Sequence, residues 1–354
     1  MSSILDETRI EAFAGQIVTD VGATLGTALV TIGDRLGLYR AMADAQPVSA
    51  AELAARTSTH ERYVREWLNA QAAGGYVTYD AECDRYVLPA EHAFVLADEQ
   101  SPVALAGMFQ SAAAAFEGRE RVVERFRSGD GLGWHEHHHD LFDGTGRAFG
   151  ANYRANLVAE WLPALDGVVE RLTAGGYVAD VGCGHGVATI LMAQAFPAST
   201  FVGYDYHLAS IEAARAAAAE AGVEDRVSFE VARADDYPGG GYDLIAFFDS
   251  LHDLGDPVGA AARASSALAP DGTCLIVEPF AGDSIAENLT PLGRSYYGFS
   301  TLVCTPGSLS QEGRAGLGTQ AGERRLTEVL KAGGFTRVRR AAETPFNLVL
   351  EAKR

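Results

Sequence analysis

The sequence predicts an α/β fold: a Rossmann-like seven-stranded sheet with an antiparallel terminal strand, preceded by a mainly helical winged-helix domain. Three observations carry this. A glycine turn, VADVGCGHG from Val178 to Gly186, joins an apolar run to a helix-spaced run. Further apolar runs follow it at the spacing of alternating strands and helices. Two terminal strand-like runs are separated only by the short link at Thr344-Pro345, which implies a hairpin and one reversed strand.

With 354 residues, 47% of them hydrophobic, the chain has more than one typical core to bury. The expected organisation is a winged-helix dimerisation domain over 1-100, a helical bridge or lid over 101-165, and a ligand-binding domain over 166-354. A net charge of -19 opposes binding to a polyanion. Cys83, Cys183, Cys274 and Cys304 have neither paired nor metal-type spacing and read as reduced thiols, which points to a cytoplasmic protein. Met1 to Phe13 carries early acids instead of a basic-then-apolar leader. No run reaches the roughly twenty uninterrupted apolar residues that span a bilayer, so no membrane role is expected.

From Thr27 to about Pro89 the pattern is helix, helix, helix, then the short strands YVTYD and RYVLP. Ser49 and Glu52 form a capping box, and Gly74-Gly75 stops the third helix. As a DNA reader, that helix would offer His60, Arg62 and Arg65 to a major groove. Yet 47-90 holds four arginines and no lysine against six acids, a poor footprint for nucleic acid. As a homodimer interface, Tyr63, Trp67, Leu68 and the aliphatic first helix that begins at Thr27 would pack on a second subunit.

The bridge reads as helices between Pro102 and Pro163. Phe149 and Tyr153, one helical step of four apart, either line a cofactor site or belong to the core. WHEHHHD, Trp134 to Asp140, crowds possible metal ligands, but it follows GDGLG and reads as a loop. Adjacent histidines point apart on any regular element, and no H-E-x-x-H spacing exists, so no metal is expected. Trp134 and His139 are expected to line an acceptor pocket instead.

At the glycine turn, a G-x-G-x-x-G dinucleotide fingerprint would need glycine at 187, where Val187 stands. Asp180, Gly182, Gly184 and Gly186 instead give D-x-G-x-G-x-G around Cys183. This resembles motif I of class I S-adenosylmethionine-dependent methyltransferases. The chemistry agrees: the ligand has no pyrophosphate but does have a cationic tail that an acid can hold. Asp205 ends the second strand, nineteen residues after Gly186. It is placed to accept both ribose hydroxyl protons, with Tyr206 against adenine. The resemblance further implies adenine-edge contacts near Ala234 and Asp235, although Arg233 stands where relatives often carry an acid. Phe248 and Asp249, at the end of the fourth strand, complete the expected cofactor residues.

The last third supplies TCLIVEPF, the helix ERRLTEVLKAGGF, and the pair FTRVRRAAE and PFNLVLEAK. Between Ala281 and Gly322 lies an insertion long enough to be functional. Its Tyr296, Tyr297, Phe299, Cys304 and Gln311 are expected acceptor contacts.

LHDLGD at 251-256 resembles the HDW-x-D segment of winged-helix small-molecule O-methyltransferases, with Leu254 in place of the tryptophan. The resemblance implies that His252 removes the acceptor hydroxyl's proton and that Glu278 orients its ring. HDLGDP, EPFAGD, CTPGSLSQ and TPFNLVLEA extend it across nearly the whole chain, to the mycobacterial and actinobacterial methyltransferases that join a winged helix to a class I domain. That group implies a homodimer, S-adenosyl-L-methionine as donor and an apolar acceptor cavity. The expectation is methylation of a small aromatic or cyclic metabolite, on oxygen first and on nitrogen or carbon as alternatives. A different class of answer is a non-catalytic S-adenosylmethionine-binding DNA regulator.

Overall fold

The computed structural model describes residues 5–354, so the first four residues of the stretch read for a leader lie outside the described residues. Packing divides the chain into two units, Met1–Ala113 with Asp143–Ala151, and Ala114–Phe142 with Asn152–Arg354. The segment expected as a bridge is shared between them. Its helix His139–Asn156 gives 143–151 to the first unit and both ends to the second.

The first unit begins with the helix Glu7–Arg35, where the Asp6 side chain accepts from the Arg9 amide. The winged-helix pattern beginning at Thr27 gave no sign of this early start. By length and composition this helix is apolar enough to cross a membrane, although it holds no uninterrupted apolar run of about twenty residues, as expected. Glycine, alanine and threonine between its larger apolar residues sustain that character without an uninterrupted run. Ser49 and Glu52 form the expected capping box on Ala50–Thr57. The third helix runs Glu61–Ala73 with Gly74 as its cap. The wing is the antiparallel pair β1 (Thr78–Asp80) and β2 (Arg85–Val87).

Trp67 and Leu68, expected at a subunit interface, are instead buried in this unit's own core with Val30, Tyr39 and Leu53. Gly33 explains the fit, since a Cβ there would lie 2.5 Å from the Trp67 ring, and the indole N–H donates to the Leu29 carbonyl at 2.8 Å. Only Tyr63 of that trio is exposed. Arg62 pairs with Glu66 at 2.5 Å, Arg65 with Glu61 at 2.6 Å, and His60 caps its helix by accepting from the Arg62 amide. The cations of the DNA reading are therefore already matched by acids.

The second unit is built on β3 (Tyr177–Val181), β4 (Thr200–Asp205), β5 (Val227–Val231), β6 (Tyr242–Phe248), β7 (Leu268–Pro279), β8 (Arg337–Glu343) and β9 (Asn347–Lys353), in the order β5-β4-β3-β6-β7-β9-β8. Strands β5 to β7 pair in parallel, whereas β9 runs antiparallel to both neighbours. The Thr344 hydroxyl makes the predicted hairpin by accepting from the Phe346 and Asn347 amides. Strands β6 and β7 are buried along most of their length, as central parallel strands covered on both faces must be.

WHEHHHD is not a loop: Trp134–Glu136 is a 3₁₀ turn, and His138 caps the helix starting at His139. Nor do its histidines diverge, since the His138 and His139 rings lie 4.0 Å apart. Capping turns the backbone between them, which a regular element would not do. His137 alone is buried there, and neither ring nitrogen has a hydrogen-bond partner among the described residues.

Burial, and then the charge of Arg121, lower the His137 pKa from its ordinary 6.5 to about 4. The folded state thus binds its proton more weakly than the unfolded chain does. The penalty is absent above about pH 6.5 and grows as pH falls toward 4, reaching on the order of 3 kcal/mol. Urea titrations of the wild type and of His137→Gln from pH 7.5 to 4.5 should show their stability difference shrinking as pH falls. A constant difference would refute this.

Candidate active site

The carboxyl ends of β3, β4, β6 and β7 meet on one edge, where open α/β sheets bind ligands. After β3 the chain turns sharply, with Gly182, Gly184 and Gly186 at φ 75°, 51° and 75°, which a side chain would strain. The Gly182 and Cys183 amides donate to the Tyr204 carbonyl, anchoring the turn to β4. A Cβ on Gly186 would run into the Phe229 ring, while one on Gly184 would meet nothing within 4 Å. The turn is therefore packed behind and open at its tip.

Two acids flank it. Asp205 accepts from the Gly184 amide at 3.0 Å through Oδ2 and from the His207 amide at 2.8 Å through Oδ1, so each oxygen keeps accepting capacity. Asp180 accepts from the Thr189 hydroxyl at 2.6 Å through Oδ2, while its buried Oδ1 has no hydrogen-bond partner of good geometry among the described residues. Burial, against the Thr189 hydrogen bond, pushes the Asp180 pKa up to about 7. An orphaned buried carboxylate oxygen favours a cation, and an open glycine tip beside a strand-end acid favours a ribose. These residues thus fit S-adenosylmethionine, the donor implied by motif I. Of the adenine-side residues, Tyr206 is exposed and Ala234 packs on the core of the sheet. Both oxygens of Asp235 are engaged by Arg233, at 2.9 and 2.8 Å.

Past β6, Asp249 holds a positive φ of 48° and is buried. It accepts from the Tyr153 hydroxyl at 2.8 Å and from the Asn347 amide group at 3.0 Å. Burial and the nearby Glu278 charge raise its pKa to about 7. The Phe248 ring lies 5.4 Å from that of Tyr153. Phe149, expected beside Tyr153, belongs to the first unit.

The next turn carries His252, 3% exposed, and Glu278 comes from the end of β7, 1% exposed. His252 Nδ1 lies 2.5 Å from Glu278 Oε2, and Glu278 Oε1 accepts from the Leu251 amide at 2.8 Å. The second ring nitrogen, Nε2, lies 3.2 Å from Asp253 Oδ1. Cys304 is within hydrogen-bonding reach of both His252 and Asp253. Burial disfavours the charged ring, but Asp253 and Glu278 outweigh it and raise its pKa well above the ordinary value. Chemically, this is an oriented imidazole that readily holds a proton.

The insertion is folded rather than open: Pro291–Phe299, a π turn Ser300–Cys304, then Thr305–Leu309. Phe299 and Cys304 cluster with Trp134, Leu141 and Phe142, forming an apolar wall. His139 is exposed and outside that cluster. The Tyr296 hydroxyl donates to the Phe346 carbonyl at 3.0 Å, and Tyr297 is half-buried. Gln311 donates to the Asp253 carbonyl at 2.8 Å and accepts from the Gly255 amide at 3.1 Å, strapping the insertion to the His252 turn. Asn347 and Asp253 carry no signal of a site role in the sequence beyond their places in TPFNLVLEA and HDLGDP.

A family model described as Rv2258c-like winged HTH domain matches residues 23–98, and one described as methyltransferase domain matches residues 172–334. The 27-O-demethylrifamycin SV methyltransferase of Amycolatopsis mediterranei is 31% identical over 131 residues, 35% of this chain and 48% of that protein. The chain thus spans about half the length of this curated relative. Among solved structures, mitomycin 7-O-methyltransferase gives a TM-score of 0.69 at 20% identity, covering 98% of this chain and 100% of that one. Human N-acetylserotonin methyltransferase, solved with S-adenosylmethionine, gives 0.70 at 16% identity, covering 100% and 99%. The fold is that of a class I methyltransferase sheet behind a winged helix.

Proposed function

We propose that this chain, in which an Rv2258c-like winged domain precedes a methyltransferase domain, transfers a methyl group from S-adenosylmethionine to a hydroxyl of a small aromatic or cyclic metabolite. The observation that carries the reading is the His252–Glu278 pair at 2.5 Å, on the sheet edge that also bears the open glycine turn. When bound, the donor supplies a methyl on a positively charged sulfur, a leaving group that needs no further activation. Asp205 would hold the ribose hydroxyls and Asp180 would hold the cationic tail. Glu278 fixes the imidazole, whose Nε2 takes the acceptor's proton as the methyl is transferred, and the charge so formed is stabilised by Glu278 and Asp253. The aromatic wall of Trp134, Phe142 and Phe299 supports a flat apolar acceptor.

Titration calorimetry with S-adenosylmethionine should give heat and thermal protection. Incubation with a panel of phenols and hydroxyquinones should give products heavier by one methylene. Heat without any product, together with salt-dependent DNA binding, would favour a regulator. No heat at all would sink the reading.

The partner is a second copy of this chain, in the cytoplasm, a location supported by the four free thiols. The supporting feature is a stripe on Glu7–Arg35, where Ile10, Phe13, Ile17, Val21 and Leu25 are each 47% to 63% exposed on a helix about 44 Å long. Sedimentation should report a dimer that Phe13→Asp with Ile17→Asp converts to a monomer. A monomeric wild type, or one that partitions onto lipid vesicles, would refute this.

A further inference from the structure

We propose that His252, Asp253 and Cys304 form a binding site for a thiophilic divalent cation of the zinc class, and that the ion silences the enzyme by occupying the imidazole Nε2. The binding stands on geometry. The silencing rests on the base role proposed above.

One nitrogen, one carboxylate oxygen and one sulfur lie within 4.8 Å of one another, with His252 and Cys304 buried. In a four-coordinate zinc site, bonds of about 2.0–2.1 Å put a ligand nitrogen and oxygen roughly 3.3 Å apart. His252 Nε2 and Asp253 Oδ1 are already 3.2 Å apart. That oxygen is buried and makes no hydrogen bond of good geometry among the described residues, its near neighbours being the other two donors themselves, so a cation between the three would satisfy it better than they do.

The outer shell is also present. Metal-ligating imidazoles commonly give their other nitrogen to a carboxylate, which fixes the ring's direction. Here Glu278 holds Nδ1 at 2.5 Å and is itself anchored by the Leu251 amide, leaving Nε2 turned toward the other two donors. Cys304 comes from the insertion, yet the insertion is tied to the His252 turn twice. Gln311 donates to the Asp253 carbonyl at 2.8 Å, and Ser308 donates to the Leu254 carbonyl at 2.7 Å. The three donors are thus held together before any ion arrives. The second donor group, His138, His139 and Asp140, is partly exposed, and the carboxylate beside the other nitrogen of His138, that of Glu117, stands 3.9 Å away, beyond hydrogen-bond range.

Binding forms metal–sulfur and metal–nitrogen bonds and breaks the Cys304 S–H bond and the His252 Nε2–H bond. Both protons leave to solvent and nothing is oxidised. Sulfur, nitrogen and one carboxylate together select the zinc class over magnesium or calcium, which prefer all-oxygen shells.

The test is titration of the full chain, stripped with chelator, with cobalt(II), read by its thiolate charge-transfer and four-coordinate visible bands. Support is a set of bands saturating at one equivalent, lost in both Cys304→Ser and His252→Gln, and retained in Cys183→Ser and Cys83→Ser. Absence of a thiolate band in the wild type, or its survival in Cys304→Ser, overturns the site. This readout needs no acceptor. In a turnover assay, zinc should abolish methylation at the same equivalence and chelator should restore it. Bands with unchanged turnover would uphold the site, refute the silencing and remove His252 from the base role.

Discussion

Replacing His252 by alanine is expected to leave S-adenosylmethionine affinity nearly intact while cutting turnover by about a hundredfold or more, the usual worth of a positioned base. The proposed cofactor acids Asp180 and Asp205 belong to the ends of β3 and β4, whereas His252 follows β6, so the two effects separate by position. The substitution also leaves Glu278, 1% exposed, with only backbone donors, which costs stability on the order of 3 kcal/mol. Melting curves must therefore accompany the rates. His252→Gln, which can still donate to Glu278, should melt closer to wild type yet stay as slow as alanine. Turnover near wild type in either variant would remove the base assignment. Glu278 touches the ring and acts through it, so Glu278→Gln should lower kcat with little change in the donor's Kd.

Asp205→Ala should weaken S-adenosylmethionine binding by about 1.5 to 3 kcal/mol, on the order of tenfold to a hundredfold in Kd, through lost charge-assisted hydrogen bonds to the ribose. The same carboxylate also orders the turn, accepting from the Gly184 and His207 amides. Alanine therefore removes ligand contact and turn support together. Asp205→Asn keeps an acceptor for one of these amides and isolates the share owed to charge. Calorimetry showing unchanged affinity for both variants would take Asp205 out of the site.

The second unit was readable because its strands obey local rules. Central parallel strands are apolar throughout, glycines at positive φ must recur where the chain turns, and a short link dictates a hairpin. The winged helix was readable from the Ser49 capping box and the Gly74 stop. What failed in the first unit was partnership. Trp67 and Leu68 look alike in sequence whether they face a second subunit or their own core, and only Gly33 lying beneath the indole decides for the core. Likewise, the exposed stripe before Thr27 carries no cap or turn signal that ties it to the module behind it.

By itself, the sequence determined the sheet, its reversed strand, the glycine turn with Asp180 and Asp205, and the candidacy of His252, since each follows from residues close together along the chain. Only the tertiary structure decided the company they keep. Asp249 is held by Tyr153 and Asn347, and His252 is closed between Glu278 on one nitrogen and Asp253 with Cys304 near the other. Asp253 adjoins His252, but the other partners lie far apart in the chain, and no local propensity encodes which of many buried acids a given imidazole will meet. That choice is made by strand order and by the folding of the insertion across the sheet edge, where the cost of burying a charge is met only by the groups that arrive beside it.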